Sequence, residues 1–135
     1  MTNSKGDDHS HILIQNRYKV LAKLGKGTFG IIYQGLDVRT NEKVAIKLEK
    51  ISVPEPLLSY EAIIYGKLQR MEGISRLHWS GVQDDYNVLI LDMLGPTLED
   101  LFHFCNQKFS QQTICWLGYQ MLNRIEQIHE MNYVH

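Results

Sequence analysis

The reading of one stretch decides the fold: LGKGTFGIIYQGLDVRTNEKVAIKLEK, residues 24–50. Its first part holds Gly25-Lys26-Gly27-Thr28-Phe29-Gly30, a G-x-G-x-x-G pattern. Alone, that pattern suits a flexible hairpin as well as a phosphate-holding loop. Context separates the possibilities. A dinucleotide loop needs a strand before it and a helix after it, because the helix N-terminus holds the pyrophosphate. Here the glycines are followed by IIYQGLDV, whose β-branched and aromatic residues spell a strand. Upstream, Tyr18, Val20, Ala22 and Leu24 alternate with Lys19, Leu21 and Lys23, the period-two signature of another strand. The loop therefore joins two strands as a flap. With no Cβ in the way, its backbone N–H groups can approach phosphate oxygens.

Working outward, RTNE is a turn and KVAIKLE a third strand, with Val44, Ile46 and Leu48 on one face and Lys43, Ala45 and Lys47 on the other. Three strands in series with short connections predict an antiparallel meander. Residues 52–73 predict a helix, with Pro54 and Pro56 at or before its first turn and Gly73 after it. Leu57, Ile64, Tyr65, Leu68 and Met71 make its apolar stripe, and Glu61 falls on that stripe too. Strands are expected around RLHWSGV and YNVLILDML, joined by Asp84-Asp85, the second apolar enough to lie inside the sheet.

Beyond this point the pattern changes. Gly95-Pro96 breaks the strand, and Thr97-Leu98-Glu99-Asp100 fits a capping box that opens a helix. Ser110 reads as the N-cap of a long helix to about Asn132, with Ile114, Leu117, Met121, Ile125 and Ile128 as its stripe. The fold class is α+β: a five-stranded antiparallel sheet with one inserted helix, a short joint, then helices. The polar opening, MTNSKGDDHSH, reads as a tail.

Composition bounds the function. The chain has 135 residues, 44% of them hydrophobic and 21% charged, ordinary for one globular domain or part of one. A net charge of −1 offers no field for nucleic acid or an anionic membrane. No run approaches a membrane span, and no secretory signal pattern opens the chain. Cys105 and Cys115 form no C-x-x-C, and adding His103 does not make a zinc spacing, so no metal site is expected. Two plain thiols suit a reducing compartment, cytoplasmic or nuclear. His9, His11, His78 and His129 read as solvated or satisfied side chains.

The chemistry lies in Lys47 and Glu61, 14 residues apart. Lys47 stands on the strand beside the flap, where a cation would lie beneath a phosphate site; alternatively it is a solvated strand lysine. Glu61 points inward from its helix unless it sits at the stripe's edge and reaches solvent. Breaking a buried ion pair commonly costs about 3–5 kcal/mol, so an inward Glu61 needs a partner, and Lys47 is the natural one.

Glycine loop, Val44-Ala45-Ile46-Lys47, helix glutamate, then an apolar strand and a joint is the order of protein-kinase motifs. GKGTFGII and VAIK make the chain resemble the eukaryotic protein kinases; VAIKLE, DYNVLILDMLGPTLEDLF and FCNQKFS make it similar to casein kinase I. The resemblance runs from about Asn16 to His135. It implies a flexible tail at 1–15, an N-lobe with hinge at 16–94 and the start of a C-lobe at 95–135. It implies transfer of the γ-phosphate of ATP, with Mg2+, to Ser or Thr of protein substrates. Gly25, Lys26, Gly27, Thr28, Phe29 and Gly30 would lie over the ATP phosphates, and Lys47 would hold them while paired with Glu61. Leu24, Ile32 and Ala45 would sandwich the adenine, with Leu91 as gatekeeper behind it. In the hinge, Asp92-Met93-Leu94, the backbones of Asp92 and Leu94 would bond the adenine edge, and Tyr65 would join the apolar spine between the lobes.

His135 would begin the His-Arg-Asp loop. By the same resemblance the catalytic Asp and the metal-binding Asn and Asp lie past His135, so the chain is expected to be a fragment, inactive alone. The last helix is then expected to lack cover for its stripe. A second reading is a short, non-catalytic product that binds nucleotide or a partner. Gly66 and Gly118, inside predicted helices, each cost up to about 1 kcal/mol relative to alanine.

Overall fold

The computed structural model describes residues 12–27 and 30–134. They form two compact units, one of Met1–Lys67 with Ser75–Met93 and one of Leu68–Ile74 with Leu94–His135.

The first unit is an antiparallel sheet with one helix. Its strands are β1 (Leu13–Ile14), β2 (Tyr18–Gly27), β3 (Gly30–Asp37), β4 (Lys43–Lys50), β5 (Leu77–Gln83) and β6 (Tyr86–Asp92), in the order β1-β2-β3-β4-β6-β5. Helix α1 (Leu58–Leu68) falls between β4 and β5. The two-residue β1 is one strand more than the five that alternation predicts; it is too short to show a period. The sheet curls until its edges meet. On β5, the Gln83 side chain accepts from the Gln15 amide at 3.0 Å and donates to Leu13 O at 3.3 Å, beside both ends of β1. That contact protects two strand edges that would otherwise offer unpaired backbone groups.

Period-two alternation sends the strand residues to two cores. Ile14, Tyr18, Val20, Tyr33, Val44, Ile46, Leu48, Val88 and Ile90 cluster on one face. Leu58, Ala62 and Leu89 cluster on the other, with Tyr65, Leu77 and Leu91 packed against them. Each such side chain contributes about 1.5–3 kcal/mol when removed from water. The alternation expected along β2 stops at Val20: register shifts between Val20 and Lys23, and again before Gly25, leave Ala22 and Leu24 exposed. Such a bulge sets two residues opposite one and turns the later side chains off the core face.

α1 is shorter than expected, and its buried stripe is Leu58, Ala62, Tyr65 and Leu68 rather than one running from Leu57 to Met71. Leu57 precedes the helix, its carbonyl accepting the Glu61 amide at 2.9 Å, and its side chain is exposed.

A partly buried ion pair that alternation did not announce ties the residue before β2 to the end of β3. Asp37 is fully buried and accepts from Arg17 Nε and Nη2 at 2.9 and 2.6 Å and from the Arg39 amide at 3.0 Å. The Arg17 hydrogen bond holds its carboxyl well below the usual carboxylate range, against the opposing effect of burial.

The second unit carries α2 (Leu98–Phe104) and α3 (Gln111–Glu130). Thr97 and Asp100 close the expected capping box, and the Ser110 hydroxyl accepts from the Thr113 amide at 3.1 Å. Both helices end on an asparagine with left-handed backbone, Asn106 and Asn132. After each, the chain folds back in Schellman fashion, as in Tyr133 N to Ile128 O at 3.2 Å and Asn132 N to His129 O at 2.9 Å. Neither helix contains a buried residue. Ile114, Trp116, Tyr119, Met121 and Leu122 are all more than half exposed.

Candidate functional site

The site is assembled by strand register. Gly25 on β2 pairs with Ile32 on β3, Ile32 with Lys47 on β4, and Lys47 with Leu89 on β6. Directly opposed residues project to the same face, so these four form one row across the sheet. The neighbouring row is Gln34, Ala45, Leu91 and Leu77. Both rows lie on the face that α1 covers, since Leu89, Leu91 and Leu77 belong to the core beneath that helix.

From α1, Glu61 reaches down to this face. Its Oε2 accepts from Lys47 Nζ at 2.6 Å, with the side chains 31% and 19% exposed. The pair is partly buried. Its worth therefore lies between that of a surface pair, about 0–1 kcal/mol, and that of a desolvated one. Glu61 also sits in the first turn of α1, where the helix dipole favours a carboxylate. The hydroxyl of Tyr65, one turn on, is pushed up by burial and then by the charge of Glu61. An ammonium carries three N–H donors. A single carboxylate bond fixes its position while leaving positive charge for an anionic oxygen.

Among the motif's glycines, Gly30 has a steric requirement visible in the backbone. Its φ is +146°, and a Cβ there would stand 2.2 Å from Leu48 O. The base of the flap is thus pressed against the strand that carries Lys47, a closeness only glycine permits. Gly27 and Gly30 pair directly, strand to strand, with no helix following the glycines. That arrangement excludes the dinucleotide-binding unit considered above.

Compared with known proteins, residues 18–135 match the protein kinase domain. The chain belongs to the protein kinase domain family. The match takes in every strand from β2 onward, α1 and both later helices.

Within this kinase domain, Gly25, Ile32, Ala45, Lys47 and Leu91 come together on one sheet face with Glu61 beside them. Leu24 is 48% exposed and follows the β2 bulges instead of the strand's inner face. Lys26 is exposed. Thr28, Phe29 and His135 lie outside the described residues. Leu94 is exposed and belongs to the second unit.

Asp92 ends β6, and its side chain is held as well as its backbone. Its amide donates to Arg76 O at 3.1 Å, while its carboxylate accepts from the Arg76 amide at 2.9 Å and lies 2.7 Å from His78 Nε2. Burial raises its carboxyl pKa, but these donors outweigh that and leave it below the ordinary value. His78, read from sequence only as satisfied or solvated, finds its partner here. The signal for Asp92's side-chain role was weak, because a lone Asp at a strand end is usually solvated.

Among the described residues no group of three or more His, Cys, Asp or Glu side chains is arranged to hold a metal ion. The magnesium implied by the resemblance finds no such ligand set there.

Proposed function

We propose that this kinase domain binds ATP on the α1-covered face of its sheet. The glycine flap lies over the phosphates, Lys47 contacts them, and Ile32, Ala45 and Leu91 line the adenine side, with the Asp92 backbone at its edge. The Lys47–Glu61 pair at 2.6 Å carries this reading, because it holds a cation in place on the strand beside the flap. We further read the activity as that of a casein-kinase-I-like serine/threonine kinase, which the sequence VAIKLE and the stretch DYNVLILDMLGPTLEDLF support. The proposed substrates are protein Ser and Thr hydroxyls near acidic or phosphorylated residues. The 135 residues, holding the nucleotide-positioning groups, are proposed to bind ATP without transferring its phosphate by themselves.

The test is a titration of the 15N-labelled chain with ATP. Saturable amide shifts centred on Gly25, Ile32, Lys47 and Asp92, abolished by Lys47→Met, support the reading. Absence of saturable shifts removes it. The same chain incubated with γ-labelled ATP and an acidic serine peptide should transfer no label; transfer above background contradicts the proposed division of labour.

A further inference from the structure

Asp37 and Glu49 are the buried charged residues among those described. Asp37 is paired with Arg17, whereas Glu49, 3% exposed, is buried outside the Lys47–Glu61 pair. Its partners are N–H groups. Oε1 accepts from the Leu57 amide at 3.0 Å and the Leu58 amide at 3.3 Å, and Oε2 from the Leu58 amide at 3.3 Å and Asn87 Nδ2 at 3.1 Å. Leu57 and Leu58 open α1, so a strand side chain caps the helix that carries Glu61.

The spacing ties this cap to the ion pair. Glu49 and Lys47 lie two residues apart on one face of β4, about 6.8 Å along the strand. Leu57 and Glu61 lie about one helical turn apart, roughly 5.4 Å along the axis. Strand and helix turn therefore run side by side in opposite senses and are joined at both ends, Glu49 to Leu57 and Leu58, Lys47 to Glu61. Leu57 links the two joints: its N–H donates to Glu49, and its carbonyl accepts the Glu61 amide at 2.9 Å. Asn87, paired with Glu49 across β4 and β6, fixes the Glu49 side chain from the strand side.

We propose that Glu49 is a positioning residue that sets the start of α1 on β4 and thereby holds Glu61 over Lys47. Without it, the first-turn amides at the buried Leu58 lose their acceptor and must turn toward water, which moves or frays the turn that carries Glu61. The consequence for nucleotide rests on the proposed binding role of Lys47; the consequence for the ion pair does not.

The experiment has two readouts on the 135-residue chain. The first is ATP affinity in a cycle of Glu49→Leu and Glu61→Gln. Glu49→Leu, which leaves the Leu57 and Leu58 amides no side-chain acceptor, should weaken ATP about fivefold to tenfold in the wild-type background and less than twofold once Glu61→Gln is present. Equal weakening in both backgrounds, or none in either, overturns the proposal. The second readout needs no nucleotide: the nuclear Overhauser contact between the Lys47 ε-protons and the Glu61 γ-protons. Its loss in Glu49→Leu, with dispersed sheet amides retained, supports the positioning role even if the wild-type chain binds no ATP, in which case only the nucleotide reading falls. Its persistence overturns the proposal. Should Glu49→Leu fail to fold, Asn87→Ala removes one donor to the same carboxylate and should weaken that contact; an unchanged contact there overturns the proposal too.

Discussion

Lys47 and Glu61 stand 14 residues apart in sequence and meet at 2.6 Å, and the register that places Lys47 opposite Ile32 and Leu89 leaves its side chain no other face of the sheet. A hydrogen bond to a charged group is worth about 1.5–3 kcal/mol, which corresponds to roughly 10- to 150-fold in affinity. Lys47→Met is therefore expected to weaken ATP at least tenfold by calorimetry while the circular dichroism spectrum stays unchanged. Lys47→Arg should not restore binding, because a planar guanidinium fork does not replace a compact ammonium in the same bond to Glu61. Wild-type affinity in either variant would remove Lys47 from the site.

Two glycines should respond to alanine with opposite signs. Gly30 has φ +146° and Leu48 O only 2.2 Å from the Cβ position, whereas Gly66, inside α1, has no neighbour within 4 Å of its own. Gly30→Ala should destabilise the first unit by about 1–3 kcal/mol through backbone strain. Gly66→Ala should stabilise it by about 0.5–1 kcal/mol through helix propensity. Urea midpoints measure both, and a stabilising Gly30→Ala would mean that the flap base is not pressed on β4.

Acid should reveal the Arg17–Asp37 pair. The hydrogen bonds from Arg17 hold the Asp37 carboxyl below its unfolded value of about 3.9. The folded state thus binds fewer protons in that range, and stability rises with pH through it. The contribution is complete above about pH 5 and lost progressively as pH falls through 4 toward the depressed value. Asp37→Asn should cost about 1–3 kcal/mol at pH 7 and make urea stability between pH 5 and 3 less steep than in the wild type. Parallel slopes would show that other carboxylates govern the acid limb.

The second unit should be sticky. Ile114, Trp116, Tyr119, Met121 and Leu122 expose large apolar surfaces on one helix, and Phe104 is 86% exposed. Patches of this kind favour association. The chain is expected to bind a hydrophobic dye and to grow in apparent mass with concentration, and Trp116→Glu with Leu122→Lys should reduce both. A monomer at high concentration with no dye uptake would contradict this.

Much of this architecture was legible because strong periodicities left few options. The β-branched run after Gly30 fixed a strand where another family has a helix, and that one inference placed Lys47. Thr97, Asp100 and Ser110 announced their caps because a hydroxyl just before a helical pattern, or a carboxylate three residues after it, has a specific use there. What escaped notice depended on contacts between distant segments. The bulges of β2 turned Ala22 and Leu24 outward, against an alternation that assumes unbroken register. The start of α1 moved because Leu57 serves the helix with its backbone rather than its side chain. The burial of Glu49 and Asp37 has no local signature, since their donors lie on other elements.

Ala45, Lys47 and Glu49 occupy alternate positions of β4, with Val44, Ile46 and Leu48 between them in the opposite core. A strand with this pattern works as a ruler graduated in twos. Deleting or inserting one residue within it would not shift one contact; it would exchange the faces of every side chain on one side of the change, so that an insertion before Lys47 turns the cation and the helix cap into the curled sheet and Leu48 toward α1. Substitutions can alter this site by degrees, whereas a change of length in β4 preserves it only where a bulge like those of β2 takes up the extra residue.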